Sequence, residues 1–435
     1  MGERTVSPLG LAAELTSTVD GAAGAAGGEF GVIDPATGRV FAMAPETTPA
    51  SLHAAVIAAD RASRSEWAAD EDARRAALAA VADTLTASAD ELAGTLTAEQ
   101  GKPLGDALRE VTVAARYARH HAENPAGQEV PGAIAVVTPG SFPLSIAFAR
   151  IAPALRAGNT CVWKPSPDAP LSALLAGELL RAVLPPGVLN VVSGSDPLGA
   201  RLVAHPLVRA VAFTGSVRVG RKVASAVEPR PLSLDLSGND PVLVLDDVDP
   251  GGAAAEVFAA AFRNSGQVYA GPKRVYVPES RRKPFVEALT ELARAAKTGD
   301  PALPGTELGP LGTRPRFDHV AGLVADAVAN RAVVTAGGRQ LEYPGYFYAP
   351  TILTDVTDGV RVVDEDQFGP VLPVIAYHDL DDAVGRALAA PHRRGASVFA
   401  ADPDRAAAVA GRLGPWPAWL NTHGTHPPED PGADG

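Results

Sequence analysis

The chain has 435 residues, which is too long for one ordinary hydrophobic core and predicts two domains. Its hydrophobic share of 46% and its charged share of 20% exclude an intrinsically disordered chain. Its formal net charge of −12 argues against nucleic acid or an anionic membrane as the partner.

The sequence also indicates a cellular compartment. No apolar run is long enough to span a bilayer, and the first residues lack the apolar segment of a signal peptide. The one cysteine, Cys161, cannot form a disulfide within the chain, which fits a reducing compartment. We therefore expect a cytoplasmic protein that acts on a small molecule, without nucleic-acid or membrane partners and without a metal site.

The first part of the chain predicts helices after a loose start. Residues 1–30 are rich in Gly and Ala, and we expect them to be flexible. A capping threonine before a proline, and Ser88 three residues before Glu91, are patterns of helix starts. The expected helices begin at Pro49, at Asp72, after Ser88 and at Pro103.

From Ala133 short apolar runs alternate with helical stretches, a rhythm that predicts buried parallel strands joined by helices. A second series runs from Leu232 to Asn421. Its expected strands are RVYV, AVVTA, VLPVIAY, ASVFA and AWLN. The pattern predicts an α/β protein.

The segment VAFTGSVRVG predicts a turn that can bind phosphate. A strand ends at Gly215 and Ser216, and a helix is expected to open near Val217 with Gly220 in its first turn. Glycine lets a ligand approach the backbone, and a helix N-terminus offers free N–H groups. A plain strand-to-helix turn has the same spacing and stays the alternative.

Three further positions are candidates for ligand binding or proton transfer. Lys164 follows an expected strand at the carboxyl edge where α/β sheets bind ligands, although a solvated lysine is the alternative. Asp235 and Asp366 each adjoin a turn rich in Gly or Pro, as ordinary loop aspartates also do. Cys161 lies inside an apolar strand, so we expect it to be buried and inert.

In their order these motifs, together with PGSFP, RNSGQVYAGPKRVYV and DEDQFGPVLPV, resemble the NAD(P)-dependent aldehyde dehydrogenase superfamily. AEQGKPLGDALREV resembles its N-terminal region, and the resemblance covers about residues 30–425. It implies an aldehyde dehydrogenase-like fold with two Rossmann-type parallel-sheet domains behind an N-terminal helical region. The implied parts are a flexible N-terminus at 1–30, a helical region with the NAD(P)-binding domain at 31–231, a catalytic domain at 232–410, and a C-terminal strand and tail at 411–435.

The resemblance also implies altered chemistry. In this family a cysteine in GQxCxA attacks the aldehyde, whereas GQVYAG places Tyr269 there. A phenol has an ordinary pKa of about 10 against about 8.5 for a thiol, and it is the poorer nucleophile. Ser141 in PGSFP replaces the asparagine that donates to the oxyanion, and Asp235 in DLSG replaces the general-base glutamate. The usual route through a thiohemiacetal is therefore not expected.

The implied cofactor is NADP or NAD. Pro167 stands where the family has a glutamate that bonds the adenosine 2′-hydroxyl, so a 2′-phosphate has less reason to be rejected. Asp366 stands for the glutamate that bonds the nicotinamide ribose. The positions expected to bind the cofactor are Lys164, Ser166, Gly215, Ser216, Gly220, Asp366 and Phe368.

The oligomerisation arm of the family is expected to be reduced. The interval HAENPAGQEVPGAIAVVTP is too short for the usual hairpin, and the sequence given stops soon after LNTHGTHPPED. We expect a monomer, or a dimer formed through another face.

Two functions follow from the resemblance. One is an oxidoreductase with direct hydride transfer, in which Tyr269 exchanges a proton, Lys273 or Arg274 lowers its pKa, and Ser265 is a weaker candidate for the same role. The other is a catalytically inactive relative that binds nucleotides or acts as a scaffold. Lyase or cyclase work on a reactive carbonyl is a third possibility.

Overall fold

The computed structural model describes residues 15–125, 132–227, 229–389 and 392–424. The chain divides into two compact units, with the boundary between Asp235 and Leu236. Each unit contains its own seven-stranded sheet, and a separate two-stranded sheet belongs to the first unit. The predicted α/β fold with two parallel-sheet domains is confirmed.

The first unit carries a helical layer before its sheet. Its strands are β1 Thr18–Val19, β2 Ala22–Ala23, β3 Ala26–Asp34, β4 Arg39–Thr47, β5 Ala133–Val137, β6 Thr160–Lys164, β7 Leu189–Val191, β8 Val208–Gly215 and β9 Leu232–Leu236. Its helices are α1 Pro49–Ala62, α2 Glu66–Ala69, α3 Glu71–Ala87, α4 Ala89–Gln100, α5 Leu104–Glu123, α6 Pro143–Arg156, α7 Leu171–Leu180, α8 Asp196–Val203 and α9 Val217–Val227.

The strand order of the first sheet is β2-β1-β7-β6-β5-β8-β9. Strand β5 pairs in parallel with β6 and β8, and β6 pairs in parallel with β7. Every residue of β6 is buried, as expected for a central strand with both faces covered. The carboxyl ends of β5, β6 and β8 therefore lie side by side at one edge of the sheet.

The expectation of a flexible start is wrong for residues 15–30, which include paired strands. Strand β1 pairs antiparallel with β7 and with β2, and β3 pairs with β4. The amide of Gly24 donates to the carbonyl of Ser17 over 2.7 Å. Backbone hydrogen bonds of this kind need no large side chains. A Gly- and Ala-rich sequence can therefore form strands without the apolar pattern that would predict them. Residues 1–14 lie outside the described residues.

Of the two predicted caps, the one at Thr48 is present and the one at Ser88 is absent. The hydroxyl of Thr48 accepts from the amide of Ser51 over 3.0 Å, and the helix expected from Asp72 begins one residue earlier, after Asp70. Helix α4 does follow Ser88, but this side chain makes no capping hydrogen bond. Its ψ of 18° is outside the extended range that a capping serine normally adopts.

The second unit repeats the alternation of strands and helices. Its strands are β10 Asp240–Val244, β11 Pro272–Pro278, β12 Val333–Ala336, β13 Thr351–Thr354, β14 Val371–Tyr377, β15 Ala396–Phe399 and β16 Ala418–Leu420. Its helices are α10 Pro250–Phe262, α11 Glu279–Ala295, α12 Arg314–Ala329, α13 Arg361–Asp364, α14 Leu380–Ala389 and α15 Pro403–Ala410, and a 3-10 turn spans Arg263–Gly266.

The strand order of the second sheet is β12-β13-β14-β11-β10-β15-β16. All neighbouring pairs are parallel except β12 with β13, so the predicted strand AVVTA is an antiparallel edge strand. Both faces of the sheet are covered, because Val242 and Val244 pack into one apolar cluster while Leu243 and Leu245 pack into the other. This alternation produces the continuous apolar runs seen in the sequence.

The interval of the expected reduced arm lies between the end of α5 at Glu123 and the start of β5 at Ala133. Most of it, residues 126–131, is outside the described residues.

Candidate active site

Apart from Asp235, the candidate residues of the first unit lie at the carboxyl ends of β5, β6 and β8 or just after them. A Cβ built on Gly140 would lie 3.5 Å from the hydroxyl of Ser166, so the loop that holds Ser141 packs against the loop that follows Lys164. The hydroxyl of Ser166 accepts from the amide of Asp168 over 3.3 Å and thereby shapes this second loop. The sheet thus brings these residues to one edge, as the sequence predicted for Lys164.

Lys164 is a buried cation. Only 3% of its surface is exposed, and its ammonium group donates to the carbonyl of Pro165 over 3.1 Å. Burial lowers its pKa to about 8, and the negative charges of Asp196 and Glu46 oppose that shift. Helix α8 packs closely on it, since a Cβ on Gly199 would approach its Cδ within 3.3 Å. A partly desolvated ammonium group of this kind binds strongly to a ligand oxygen.

Three helices that follow the strands of the first sheet already have a carboxylate at the N-terminus. Glu110 accepts from the amides that open α6, Glu99 from those that open α7, and Glu46 from the amide of Ser195 at the start of α8. A carboxylate occupies the position that an anionic ligand would take, because both are attracted by the free N–H groups and the helix dipole.

Helix α9 differs from these three. At its start the amide of Val219 donates to the hydroxyl of Ser216, rather than to a carboxylate, over 3.4 Å. The amide of Gly220 donates to the carbonyl of Ser216, and a Cβ on Gly215 would lie 2.7 Å from the ring of Phe213. Ser216 is exposed, and the start of α9 carries the positive end of the helix dipole, which suits the pyrophosphate that the sequence predicts there.

Asp235 and Ser141 both contact cationic side chains, one from helix α6 and one from the connection between α4 and α5. Asp235, on β9, is 7% exposed and forms an ion pair with Arg150 of α6 at 3.1 Å. The carbonyl of Ser141 accepts from the ammonium group of Lys102 over 2.7 Å. For Asp235 to act as a base, its pair with Arg150 has to open.

In the second unit a left-handed turn leads to Tyr269. Asn264, Ser265 and Gly266 have φ angles of 48°, 55° and 74°, a conformation that costs energy for residues other than glycine. A Cβ on Gly266 would lie 2.1 Å from the carbonyl oxygen of Gly369. The turn thus packs directly against the loop that contains Phe368, and no larger residue fits at 266.

Tyr269 is half-buried and lies beside a guanidinium group. The Cζ atom of Arg394 is 4.7 Å from the centre of the tyrosine ring, and the amide of Gly238 donates to the tyrosine carbonyl over 3.2 Å. These three residues precede the neighbouring parallel strands β11, β15 and β10. They therefore share the amino edge of the second sheet.

The cations expected beside Tyr269 bind other groups. Lys273 donates to the carbonyl of Gly266 over 3.1 Å and pairs with Asp366, while Arg274 donates to the hydroxyl of Tyr276. The alternative proton donor, Ser265, donates its hydroxyl to the carbonyl of Gly309 over 2.9 Å. The cation that does lie over the Tyr269 ring, Arg394, is 125 positions further along the chain, and no spacing rule in the sequence indicates it.

Asp366 and Phe368 lie in one loop before β14. The carboxylate of Asp366 pairs with Lys273 at 3.1 Å and accepts from the amide of Phe368 over 3.0 Å. The ring of Phe368 packs against Arg316, whose Cζ is 4.0 Å from the ring centre. The loop is thus ordered by its own contacts before any ligand is considered.

The described residues also bear on membrane and metal binding. Within the described residues, no helix is both long and apolar enough to cross a membrane. The same part of the chain holds no group of three His, Cys, Asp or Glu side chains placed to bind a metal ion.

Comparison with known proteins gives a consistent result. Residues 23–432 of the chain match the family described as "Aldehyde dehydrogenase family". The chain is 35% identical over 428 residues to betaine aldehyde dehydrogenase of Cereibacter sphaeroides, covering 94% of this chain and 88% of that protein. It is also 34% identical over 381 residues to a probable succinate-semialdehyde dehydrogenase of Sinorhizobium fredii. That match covers 82% of this chain and 78% of the other protein, whose name specifies NADP(+).

Solved structures agree with the sequence relatives. A mutant of aldehyde dehydrogenase C from Pseudomonas syringae, in complex with NAD+ and octanal, superposes with a TM-score of 0.91 at 31% identity. That similarity covers 98% of this chain and 92% of the other.

Proposed function

The chain belongs to the aldehyde dehydrogenase family, and from this premise we propose that it is an NAD(P)-dependent oxidoreductase that acts on a carbonyl-type small molecule without a thiohemiacetal intermediate. The relatives named above are dehydrogenases of aldehydes, which supports the general class of substrate. The absence of the covalent intermediate is the part that departs from the family pattern.

The residue at position 269 carries this proposal. The motif GQVYAG offers a phenol where the family presents a thiol, and the one cysteine of the chain is fully buried inside β6. A thiol buried within a sheet cannot reach a substrate. The chain therefore lacks an accessible sulfur nucleophile, and direct hydride transfer is the route that remains open to a bound carbonyl group.

The first unit offers a set of groups that fits a dinucleotide. Lys164 and Ser166 would bind the adenosine ribose, and the turn of Gly215, Ser216 and Gly220 would hold the pyrophosphate at α9. NADP or NAD, when bound, supplies the hydride acceptor or donor. Because Pro167 carries no charge to repel a 2′-phosphate, we expect both forms to bind.

Tyr269 would provide the proton that accompanies hydride transfer. Reduction of a carbonyl group to an alcohol adds a hydride to carbon and a proton to oxygen, and the phenol hydroxyl would give that proton or take it back in the reverse reaction. The guanidinium of Arg394 would stabilise the phenolate that forms, since it lies 4.7 Å from the ring centre.

The remaining candidate residues have supporting roles in this proposal. Ser141 would donate a hydrogen bond to the substrate oxygen. Asp235, once released from Arg150, would serve as a general base. Asp366 would bind the nicotinamide ribose, with Phe368 in the same loop.

A test uses cofactor binding and turnover together. NADH and NADPH fluorescence is titrated first, and then carbonyl reduction and alcohol oxidation are assayed over a panel of small aldehydes and alcohols with wild type and Tyr269→Phe. Saturable binding with turnover that Tyr269→Phe removes would support the proposal. Absence of binding at millimolar cofactor would overturn it, and binding without any turnover would favour the inactive nucleotide-binding alternative.

A further inference from the structure

The motif AEQGKPLGDALREV, at residues 98–111, has no part in the chemistry described so far. It nevertheless places three charged side chains in the interior of the first unit. Glu99 and Lys102 are fully buried, and Glu110 is 3% exposed. Burying charges costs free energy unless each has partners, so the partners of these side chains indicate what they do.

Lys102 and Glu110 bind the loop that carries Ser141. They form an ion pair with each other, and Lys102 also donates to the carbonyl of Ser141 over 2.7 Å. The other oxygen of Glu110 accepts from the amides of Leu144 and Ser145 over 2.9 and 3.2 Å. One charged pair thus fixes both the loop after β5 and the first turn of α6.

Glu99 does the same for the next loop of the sheet edge. Its two oxygens accept from the amides of Leu171 and Ser172 over 2.5 and 2.9 Å, at the first turn of α7. Helix α7 follows directly on the loop that begins at Lys164 and contains Ser166. The position of that loop therefore depends on the carboxylate of Glu99.

We propose that Glu99, Lys102 and Glu110 are positioning residues, which hold the Ser141 loop and the Lys164–Ser166 loop in the arrangement that binds the cofactor. The inference rests on the proposed function, because it takes these two loops as cofactor-binding loops. We call the three side chains the buried brace. They touch neither cofactor nor substrate in this proposal and act through the backbone of the two loops.

The brace makes cofactor affinity depend on pH. Burial, together with the negative charge of Glu110, which is itself paired with Lys102, raises the pKa of Glu99 from 4.5 to about 7, although its hydrogen bonds from Leu171 and Ser172 oppose that shift. The carboxylate accepts from both amides, whereas a protonated carboxyl group gives up part of one acceptor. Affinity for NADH is therefore expected to rise between pH 6 and about 7.5.

The contribution of Glu99 to folding stability has the opposite sign. Its pKa in the folded state lies above the unfolded value of 4.5, so the folded chain binds more protons between pH 4.5 and about 7. Its contribution to stability therefore decreases as pH rises through this window. A residue that acted only on stability would not produce an affinity that moves the other way.

The experiment compares Glu99→Gln with the matched control Glu91→Gln, an exposed position on the same helix α4. NADH is the probe, because it lacks the 2′-phosphate that titrates near pH 6. We expect Glu99→Gln to bind NADH about tenfold more weakly at pH 7.5 and to lose the rise in affinity from pH 6 to 7.5. Glu91→Gln is expected to behave as wild type.

A second measurement separates this inference from the proposed function. Amide hydrogen exchange of Leu171 and Ser172, without cofactor, is expected to be about tenfold faster in Glu99→Gln, with global stability retained. Wild type that binds no NADH would overturn the proposed function. Unchanged exchange at these two amides, or an unchanged pH profile of binding in Glu99→Gln, would overturn the brace.

Discussion

The two units hold their candidate residues at opposite edges of their sheets. In the first unit Ser141 follows β5, while Lys164 and Gly215 are the last residues of β6 and β8, so all three lie at the carboxyl edge, the usual ligand-binding edge of a parallel sheet. In the second unit Tyr269 and Arg394 precede β11 and β15 at the amino edge. The first arrangement follows from general properties of helix N-termini, whereas the second depends on which side chains are present.

This difference explains which motifs stay close to the family pattern. The proposed pyrophosphate turn needs backbone amides and glycines, and the chain has glycines at 215 and 220. The reacting group, in contrast, is a single side chain, and at its position this chain has Tyr269. We infer that binding of the cofactor is retained while the chemistry has changed, and four predictions test each side of that comparison.

The largest effect is expected for turnover in Tyr269→Phe. Loss of the phenol hydroxyl removes the proposed proton donor and should lower kcat by about 10²- to 10⁴-fold. Binding of NADH should be unchanged, because the cofactor-binding groups of the first unit are intact. Steady-state kinetics and fluorescence titration measure the two effects, and equal turnover of variant and wild type would remove Tyr269 from the mechanism.

Lys102→Met is expected to have the largest effect on stability. It leaves the buried Glu110 without its ion-pair partner, which typically costs about 3–5 kcal/mol. The double variant with Glu110→Gln removes both charges and should recover much of the loss. Urea denaturation measures the free energy of unfolding, and a single variant as stable as wild type would show that the pair is not required.

Gly266→Ala tests the crowded turn of the second unit. The added Cβ would lie 2.1 Å from the carbonyl of Gly369, at a φ of 74°, and we expect a loss of about 2–4 kcal/mol. Gly385→Ala on α14 is the matched control, because its Cβ meets nothing within 4 Å and should be tolerated. Thermal denaturation compares them, and similar melting temperatures would show that the turn can relax.

The smallest expected effect is the pH dependence of cofactor binding through Lys164. Its pKa is lowered to about 8, so its charge is lost as pH rises through 8 and affinity for NADH should fall by about tenfold. Its effect on stability has the opposite sign, since between about 8 and 10.5 the unfolded chain binds more protons and stability rises with pH.

Lys164→Met is the comparison variant for this prediction. It should bind NADH more weakly than wild type at pH 7 and show no decrease in affinity above pH 8. A decrease of the same size in Lys164→Met would assign the titration to another group.

The sequence predicted those parts of the molecule that depend on local patterns. Thr48 before Pro49 gave a helix with the expected cap, and the apolar runs gave both sheets. Strands β1 and β2 were missed because backbone pairing leaves no mark in a Gly- and Ala-rich segment. Ser88 follows the capping-box pattern, yet the conformation of its backbone prevents the hydrogen bond.

The contacts that could not be predicted join distant parts of the chain. Arg394 lies over Tyr269 because β15 and β11 both pair with β10, and strand order is not written in the spacing of a motif. Glu99 and Lys102 sit in a helical region where charged residues are usually solvated, so their burial became apparent only from the packing of α4, α5 and α7.

Intact-protein mass spectrometry tests the central claim most directly. Wild type and Tyr269→Cys are incubated with NADP+ or NAD+ and a panel of reactive aldehydes, and the reactions are quenched in acid. We expect wild type to keep its unmodified mass, while Tyr269→Cys provides the positive control in which an acyl group is trapped on sulfur. An acyl adduct on wild type would contradict the proposal that this chain works without a covalent intermediate.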